Sequence, residues 1–136
     1  MCPKCREPLI VVEFEGVEVD HCLACHGVWL DTGELELLME RAGLRPGRWL
    51  EALSAAGAGK SGARRCPRCR RKMRVIAVGV QPPAELDRCP AGHGLWLDAG
   101  ELRLIVKEFA TGEHAPVAEF LGDLLRHGLT EHAEER

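Results

Sequence analysis

The chain has 136 residues, 46% of them hydrophobic, but only three Trp, three Phe and no Tyr, and a net charge of −3. No apolar run approaches the roughly 18 residues of a membrane span, so no membrane association is expected, and no secretion-type apolar segment follows the N-terminus, which makes the cytoplasm the expected compartment. In a reducing compartment the seven Cys point to metal ligands rather than disulfides, and an odd number would leave one unpaired.

The charge is segregated. Residues 1–59 carry five basic and ten acidic side chains, residues 60–106 ten basic and four acidic, and residues 107–136 three basic and seven acidic.

In chain order, Cys2-Pro3-Lys4-Cys5 is a turn that points two thiolates at one ion, at an N-terminal position open to fraying. The β-branched run Leu9–Phe14, the turn signal Glu15-Gly16 and the alternating Val17–His21 predict a β-hairpin. It returns the chain to Cys22 and Cys25, with sixteen residues between Cys5 and Cys22, within the roughly 15–20 of a paired-knuckle zinc site. Gly27–Leu30 reads as a short extended piece. Asp31 and Glu34 then form a capping box, with Asp31 as N-cap, before a helix ending near Gly43. Pro46 opens a second helix with Trp49, Leu50 and Leu53 on its apolar stripe.

The order then repeats. Cys22–Leu35 and Cys89–Leu102 share Cys, His-Gly, Trp-Leu-Asp and Gly-Glu-Leu in register, and Cys66-Pro67-Arg68-Cys69 stands before the second copy as Cys2–Cys5 does before the first. Met73–Val80 is read as a strand, Gln81–Ala84 as a turn, and Glu85–Arg88 as the counterpart of Glu18–His21. Asp98 and Glu101 cap a helix through about Phe109. Pro116 opens a last helix carrying Val117, Phe120, Leu121, Leu124, Leu125 and Leu129, which either packs on its own unit or serves dimerisation. The organisation expected is a first unit over 1–57, a flexible linker over 58–64, a second unit over 65–130 and a tail over 131–136. Units this small need a staple such as a metal.

Cys2, Cys5, Cys22 and Cys25 make a closed four-thiolate set suited to structural zinc, with a single iron as the competing ion. In the second copy Gly92 stands where Cys25 stood, and His93 follows. An imidazole reaches further than a thiolate, so Cys66, Cys69, Cys89 and His93 are proposed as a zinc site of three thiolates and one imidazole; the alternative is that His93 only echoes His26. Two zinc ions are thus the expected cofactors. Trp29 and Trp96 are read as core residues packing hairpin against helix with the indole N–H partnered, and Gly33 and Gly100 as sites of close packing under the knuckles.

Residues 60–74 hold eight positive charges and no acid. Arg64, Arg65, Arg68, Arg70, Arg71, Lys72 and Arg74 are candidates for binding a polyanion; internal compensation by the acidic flanks is the competing reading. No catalytic Ser/His/Asp set, phosphate-binding Gly loop or open metal position is present, so an enzyme and a small-molecule substrate are not expected.

The CPxC turn, the hairpin and Cys-x-x-Cys-His/Gly-Gly-x-Trp-Leu-Asp-x-Gly-Glu-Leu together resemble a bacterial family, the transcription-factor zinc fingers, named for likeness to the zinc ribbon of transcription factor IIB. The resemblance covers residues 2–38 and 66–105. It implies a small α+β, metal-stapled protein of two tandem rubredoxin-like zinc ribbons, each a β-hairpin with zinc knuckles followed by one or two helices. It also implies a zinc role for Cys2, Cys5, Cys22 and Cys25 and for Cys66, Cys69 and Cys89. The expected function is a macromolecular interaction module meeting nucleic acid or a protein of the transcription or translation machinery through residues 60–74. The alternative is a rubredoxin-like redox or metal-handling protein.

Overall fold

A computed structural model describes residues 1–14, 16–41, 47–79, 83–101 and 105. Its elements are β1 (Ile10–Phe14), β2 (Val17–His21), β3 (Val28–Asp31), α1 (Glu34–Arg41), α2 (Gly47–Ala55), β4 (Lys60–Arg65), β5 (Lys72–Val78), β6 (Ala84–Arg88) and β7 (Gly94–Leu97). The expected helix through Phe109 is described only at Glu101 and Ile105; the last helix and the tail lie outside the described residues.

Each copy gives a hairpin and a third strand. In β2 the Val17, Val19 and His21 side chains are buried while Glu18 is exposed, as period-two alternation requires. Gly16 supplies the left-handed backbone of the β1–β2 turn, at φ 81°. The expected fold class holds: a small α+β protein with two ribbon-like copies.

The copies are not separate bodies. All the described strands belong to one antiparallel seven-stranded sheet in the order β1-β2-β3-β7-β6-β5-β4. The join is β3 against β7, with Val28 opposite Leu97, Trp29 opposite Trp96 and Leu30 opposite Leu95. Shifting by one repeat turns the first of these pairs into the last and leaves Trp29–Trp96 unchanged, so a pseudo-two-fold axis passes between the two tryptophans. Across the middle of the sheet the residues in register are Val11, Asp20, Trp29, Trp96, Asp87 and Val75, a row that reads the same from either end.

This sheet buries both faces. On one lie Val17, Val19, Val28, Leu30, Ile76, Leu86 and Leu97, covered by Leu35, Leu38 and Met39 of α1 and Trp49 of α2. The other carries the cysteines, Trp29, Trp96 and Met73. Burying a Trp removes roughly 150–250 Å² from water, so at about 25 cal/mol per Å² each contributes several kcal/mol, an upper bound. These faces explain how so short a chain holds two cores.

Three expectations need correction here. The flexible linker over 58–64 is largely β4, pairing with β5 through Lys60–Val75, Ser61–Arg74 and Arg65–Lys72. Its small residues are what close pairing demands: a Cβ on Gly62 would lie 2.8 Å from the Met73 carbonyl. Leu50 does not join the apolar stripe of α2; it is 47% exposed, while Trp49 is fully buried and Leu53 packs at the core's margin. Gly33 and Gly100 meet nothing within 4 Å, so packing does not select glycine there; their φ values of 90° and 92° do.

Candidate metal centres

Four knuckles built on one plan bring the ligands together. In each, the N–H of the leading cysteine donates to the carbonyl five residues on: Cys2 to Glu7 at 2.8 Å, Cys22 to Gly27 at 3.0 Å, Cys66 to Arg71 at 2.8 Å and Cys89 to Gly94 at 3.1 Å. In three of them the residue after the second cysteine turns left-handed: Arg6 at φ 62°, His26 at 68° and Arg70 at 66°. Its N–H donates to the leading cysteine's carbonyl at 2.8–2.9 Å. Backbone N–H groups also face the leading sulfurs, from Lys4 to Cys2 at 3.3 Å, Arg68 to Cys66 at 3.3 Å and Ala91 to Cys89 at 3.3 Å. Such donors favour the thiolate form that a metal needs.

The fourth knuckle departs from the plan by one residue. Gly92, not residue 93, is left-handed at φ 83°, and its N–H closes a tighter turn on the Cys89 carbonyl at 3.0 Å. The chain bends one residue early, and His93 swings its Nδ1 to 3.3 Å from Cys89 Sγ. Thus the loss of the cysteine and the gain of glycine at position 92 belong to one change.

Each donor set is compact. Donor atoms of Cys2, Cys5, Cys22 and Cys25 lie within 4.8 Å of one another, as do those of Cys66, Cys69, Cys89 and His93. Sulfur separations are 3.2 Å for Cys5–Cys22, 3.5 Å for Cys2–Cys5 and 3.6 Å for Cys2–Cys25 and Cys69–Cys89. A tetrahedral ion with bonds of about 2.3 Å to sulfur would place its ligands about 3.8 Å apart, so the sets fit such an ion with little adjustment. All the cysteines are free thiols. Both sets are closed by four protein donors, the arrangement of a structural site rather than a catalytic one. Without a cation, burial pushes the Cys66 thiol up to about 11. Burial also acts to raise Cys89, but the His93 backbone and imidazole outweigh it and bring that thiol down to about 6.

Trp29 and Trp96 lie between the two sets, fully buried, as core residues with partnered indoles. Their N–H groups donate to Asp31 at 2.8 Å and Asp98 at 3.0 Å. They do not, however, serve as hairpin-to-helix packing. Each ring covers a glycine of the other copy: a Cβ on Gly27 would lie 2.2 Å from Trp96 Cζ2, and one on Gly94 would lie 2.9 Å from Trp29 Cζ2. The glycine of His-Gly-x-Trp is therefore a seat for the opposite tryptophan.

The capping boxes are half realised. Glu34 Oε1 accepts from the Asp31 N–H at 2.7 Å and Glu101 Oε1 from the Asp98 N–H at 2.6 Å. Burial raises both glutamates to about 7 against those bonds, with the neighbouring aspartates adding to the rise. The Asp31 carboxylate, expected as N-cap, instead takes the Trp29 indole and the Arg68 guanidinium. Burial acts to raise Asp31, but these two donors outweigh it and hold its carboxyl below the ordinary range.

The basic run divides in two. Arg68 forms a two-pronged pair with Asp31, Nε to Oδ1 at 2.9 Å and the second nitrogen to Oδ2 at 2.8 Å, and reaches Asp20 at 2.6 Å. Arg64 pairs with the matching aspartates of the second copy through a single nitrogen, Nη1, which meets Asp98 at 2.6 Å and Asp87 at 3.2 Å. Arg74 is fixed on the carbonyls of Ala58 and Gly59 and on Ser61. Of these three, all expected among the polyanion-binding residues, Arg64 and Arg68 are compensated by aspartates within the molecule, and Arg74 is engaged by neutral oxygens without an acidic partner. Arg65, Arg70, Arg71 and Lys72 are exposed and carry no ion pair among the described residues; Arg65 donates only to the Arg70 carbonyl, at 3.0 Å. The aspartates at 20, 31, 87 and 98 are ion-pair partners that sequence reasoning passes over, although they recur at the repeat spacing.

Among the described residues no helix is long and apolar enough to cross a membrane. Comparison with curated proteins and with solved structures gives no match. The family described as transcription factor zinc-finger matches twice, over residues 1–41 and 65–108, each match ending beyond its Trp-Leu-Asp-x-Gly-Glu-Leu stretch. With both donor sets inside the matched segments, and those segments making up well over half of the residues, the chain belongs to the transcription factor zinc-finger family.

Proposed function

We propose that this protein binds two structural zinc ions and acts as an interaction module for a polyanion, nucleic acid being the partner favoured. The donor sets and the family support zinc: three or four thiolates in closed tetrahedral sets, and a histidine in the second. The observation that carries the interaction reading is the exposed group Arg65, Arg70, Arg71 and Lys72. It remains after the other arginines of the run have been matched to partners within the chain, and it is grouped around the third knuckle. Cations without an acidic partner on a metal-stiffened turn suit phosphate contacts, which fix position without reading sequence.

The test is fluorescence anisotropy with labelled single- and double-stranded oligonucleotides, beginning at 50 mM salt. If all four cations meet duplex phosphates, the logarithm of affinity falls with that of salt at a slope near −3.6, a loss of about 100-fold between 50 and 200 mM. Replacing the four by Ala removes most of the binding and flattens the slope. Absence of binding at 50 mM salt, or an affinity indifferent to salt, refutes the reading. Metal analysis of the same preparation is expected to find two zinc ions; a coloured iron protein with a reversible potential refutes the zinc assignment.

A further inference from the structure

The pseudo-two-fold axis makes a prediction about contacts: whatever the first copy does to the second, the second should do to the first. For the tryptophan seats this holds. For the two knuckles of the second metal site it does not.

Thr32, in the turn before α1, reaches across to the fourth knuckle. Its N–H donates to the His93 carbonyl at 3.0 Å, and its hydroxyl donates to the Gly92 carbonyl. Position 99, the image of Thr32, is alanine, which has no hydroxyl, and among the described residues no backbone bond from Ala99 to His26 mirrors the one from Thr32 to His93. The third knuckle shows the same one-sidedness. Arg68, between Cys66 and Cys69, is bound to Asp20 and Asp31 of the first copy. Its image is Lys4, and the aspartates Lys4 would reach, Asp87 and Asp98, are held instead by Arg64 of the same copy as themselves. Both knuckles of the second site are braced on the first copy, and among the described residues neither knuckle of the first site receives the matching brace.

The brace falls where it is needed. The fourth knuckle is built on a glycine at a left-handed φ, the residue that loses most conformational freedom on ordering. Its ligand, His93, is the exposed member of the two donor sets. Fixing the carbonyls of residues 92 and 93 fixes the backbone from which the imidazole projects.

We infer that Thr32 is a positioning residue for the Cys66–Cys69–Cys89–His93 metal site, so that this site reaches full affinity only against the folded first copy. This inference rests on the two metal sites of the proposed function but not on its polyanion partner. It assigns no ligand role to Thr32: the residue acts through the knuckle backbone.

Cobalt(II) is the probe, because charge-transfer absorption from four thiolates differs from that of three thiolates and an imidazole. Zinc displacement of cobalt from the full-length chain then reports each site. Thr32→Val, which keeps the shape and removes the hydroxyl, is expected to weaken zinc at the histidine-containing site about 3- to 10-fold, the worth of one hydrogen bond, and to leave the four-thiolate site unchanged. Thr32→Ser restores the affinity to within about twofold, since it returns the hydroxyl. Arg68→Met weakens the same site, whereas Lys4→Met, its image, leaves the four-thiolate site as it was. Unchanged affinity in Thr32→Val, a loss in Thr32→Ser equal to that in Thr32→Val, or equal losses at both sites overturns the inference. If neither site binds cobalt in the unmutated chain, the metal reading itself has failed, which separates that failure from this one.

Discussion

Replacing Gly27 by alanine tests the join between the copies. The backbone at Gly27 is not left-handed, so alanine brings no conformational strain, and the whole effect comes from its methyl group. That carbon would lie 2.2 Å from Trp96 Cζ2, 2.7 Å from Cη2 and 3.0 Å from Cε2. Carbon atoms settle at roughly 3.5–4.0 Å, so the ring must retreat by more than about 1 Å. It has nowhere to go: Trp96 is fully buried, and its N–H is committed to Asp98 at 3.0 Å. Overpacking of this kind costs about 1–3 kcal/mol, and loss of a hydrogen bond to a charged acceptor adds about 1.5 kcal/mol, for an expected total of about 2.5–4.5 kcal/mol. In a chain of this size that lowers the unfolding midpoint by roughly 10 °C, measured by thermal or urea denaturation of the zinc-saturated protein. The decisive comparison is a double-mutant cycle with Trp96→Leu, which shrinks the occupant of the seat. Gly27→Ala in that background should cost under about 1 kcal/mol, a coupling of at least about 1.5 kcal/mol. Gly94→Ala should resist the equivalent rescue by Trp29→Leu, because its methyl also meets the Leu30 carbonyl at 2.2 Å. Equal costs for Gly27→Ala with and without the Trp96 indole would refute the reciprocal seating of the tryptophans.

Two other expectations concern protons and metal. Glu34 and Glu101, raised from 4.5 to about 7 chiefly by burial, bind protons more tightly folded than unfolded. Their contribution to stability is therefore complete below pH 4.5 and is lost as pH rises through 7. Glu34→Gln with Glu101→Gln keeps the acceptor oxygens and removes the titration. The difference in unfolding free energy between this variant and the parent, which cancels the metal's own pH dependence, should change in the parent's disfavour between pH 5.5 and 7.5; a constant difference refutes the assignment. His93→Ala should leave one zinc bound as in the parent and weaken the other by more than about 100-fold, since loss of a ligand exceeds the 10–100-fold cost of losing a ligand's supporting partner. Two zinc ions held with unchanged affinity by His93→Ala would refute the three-thiolate, one-imidazole site.

Local pattern reveals the parts of this protein and conceals their assembly. The hairpins, the knuckles and the departure at Gly92-His93 are all legible, because each depends on residues close in sequence with a distinctive spacing. The fourth ligand can be inferred from the reach of an imidazole alone. What the one-residue shift does to the backbone requires φ values. β4 escapes sequence reading because Lys-Ser-Gly-Ala-Arg-Arg has little strand propensity of its own; pairing with β5 and the Arg64–Asp98 contact hold it in place. The role of Gly27 and Gly94 is hidden for a related reason: their neighbour comes from the other copy, 69 and 65 residues away respectively. The basic run is the least decidable feature. Composition gives the number of arginines but not which aspartates they meet, and in this fold the aspartates of the palindromic row and its flanks take two of them.

That division suggests where a function beyond folding resides. The parts obeying the pseudo-two-fold axis are the Val-Asp-Trp row, the tryptophan seats, the glutamate-capped turns and the paired donor sets, and all have an internal task already. The parts breaking it gather on the second copy: β4 with Arg64, the histidine ligand, and the uncompensated Arg65, Arg70, Arg71 and Lys72. Their image in the first copy is not a basic strand but a β1 edge, uncovered among the described residues, with Glu13 exposed. Lys4, at the image of Arg68, has a single ammonium group and cannot make the two-pronged contact that Arg68 makes with Asp31. Arg64 instead satisfies Asp87 and Asp98 from an added strand, and that same strand carries Arg65 to the third knuckle, where Arg70, Arg71 and Lys72 already stand. The departure thus neutralises Asp87 and Asp98 while adding Arg65 to Arg70, Arg71 and Lys72, an arrangement suited to the anionic partner proposed above.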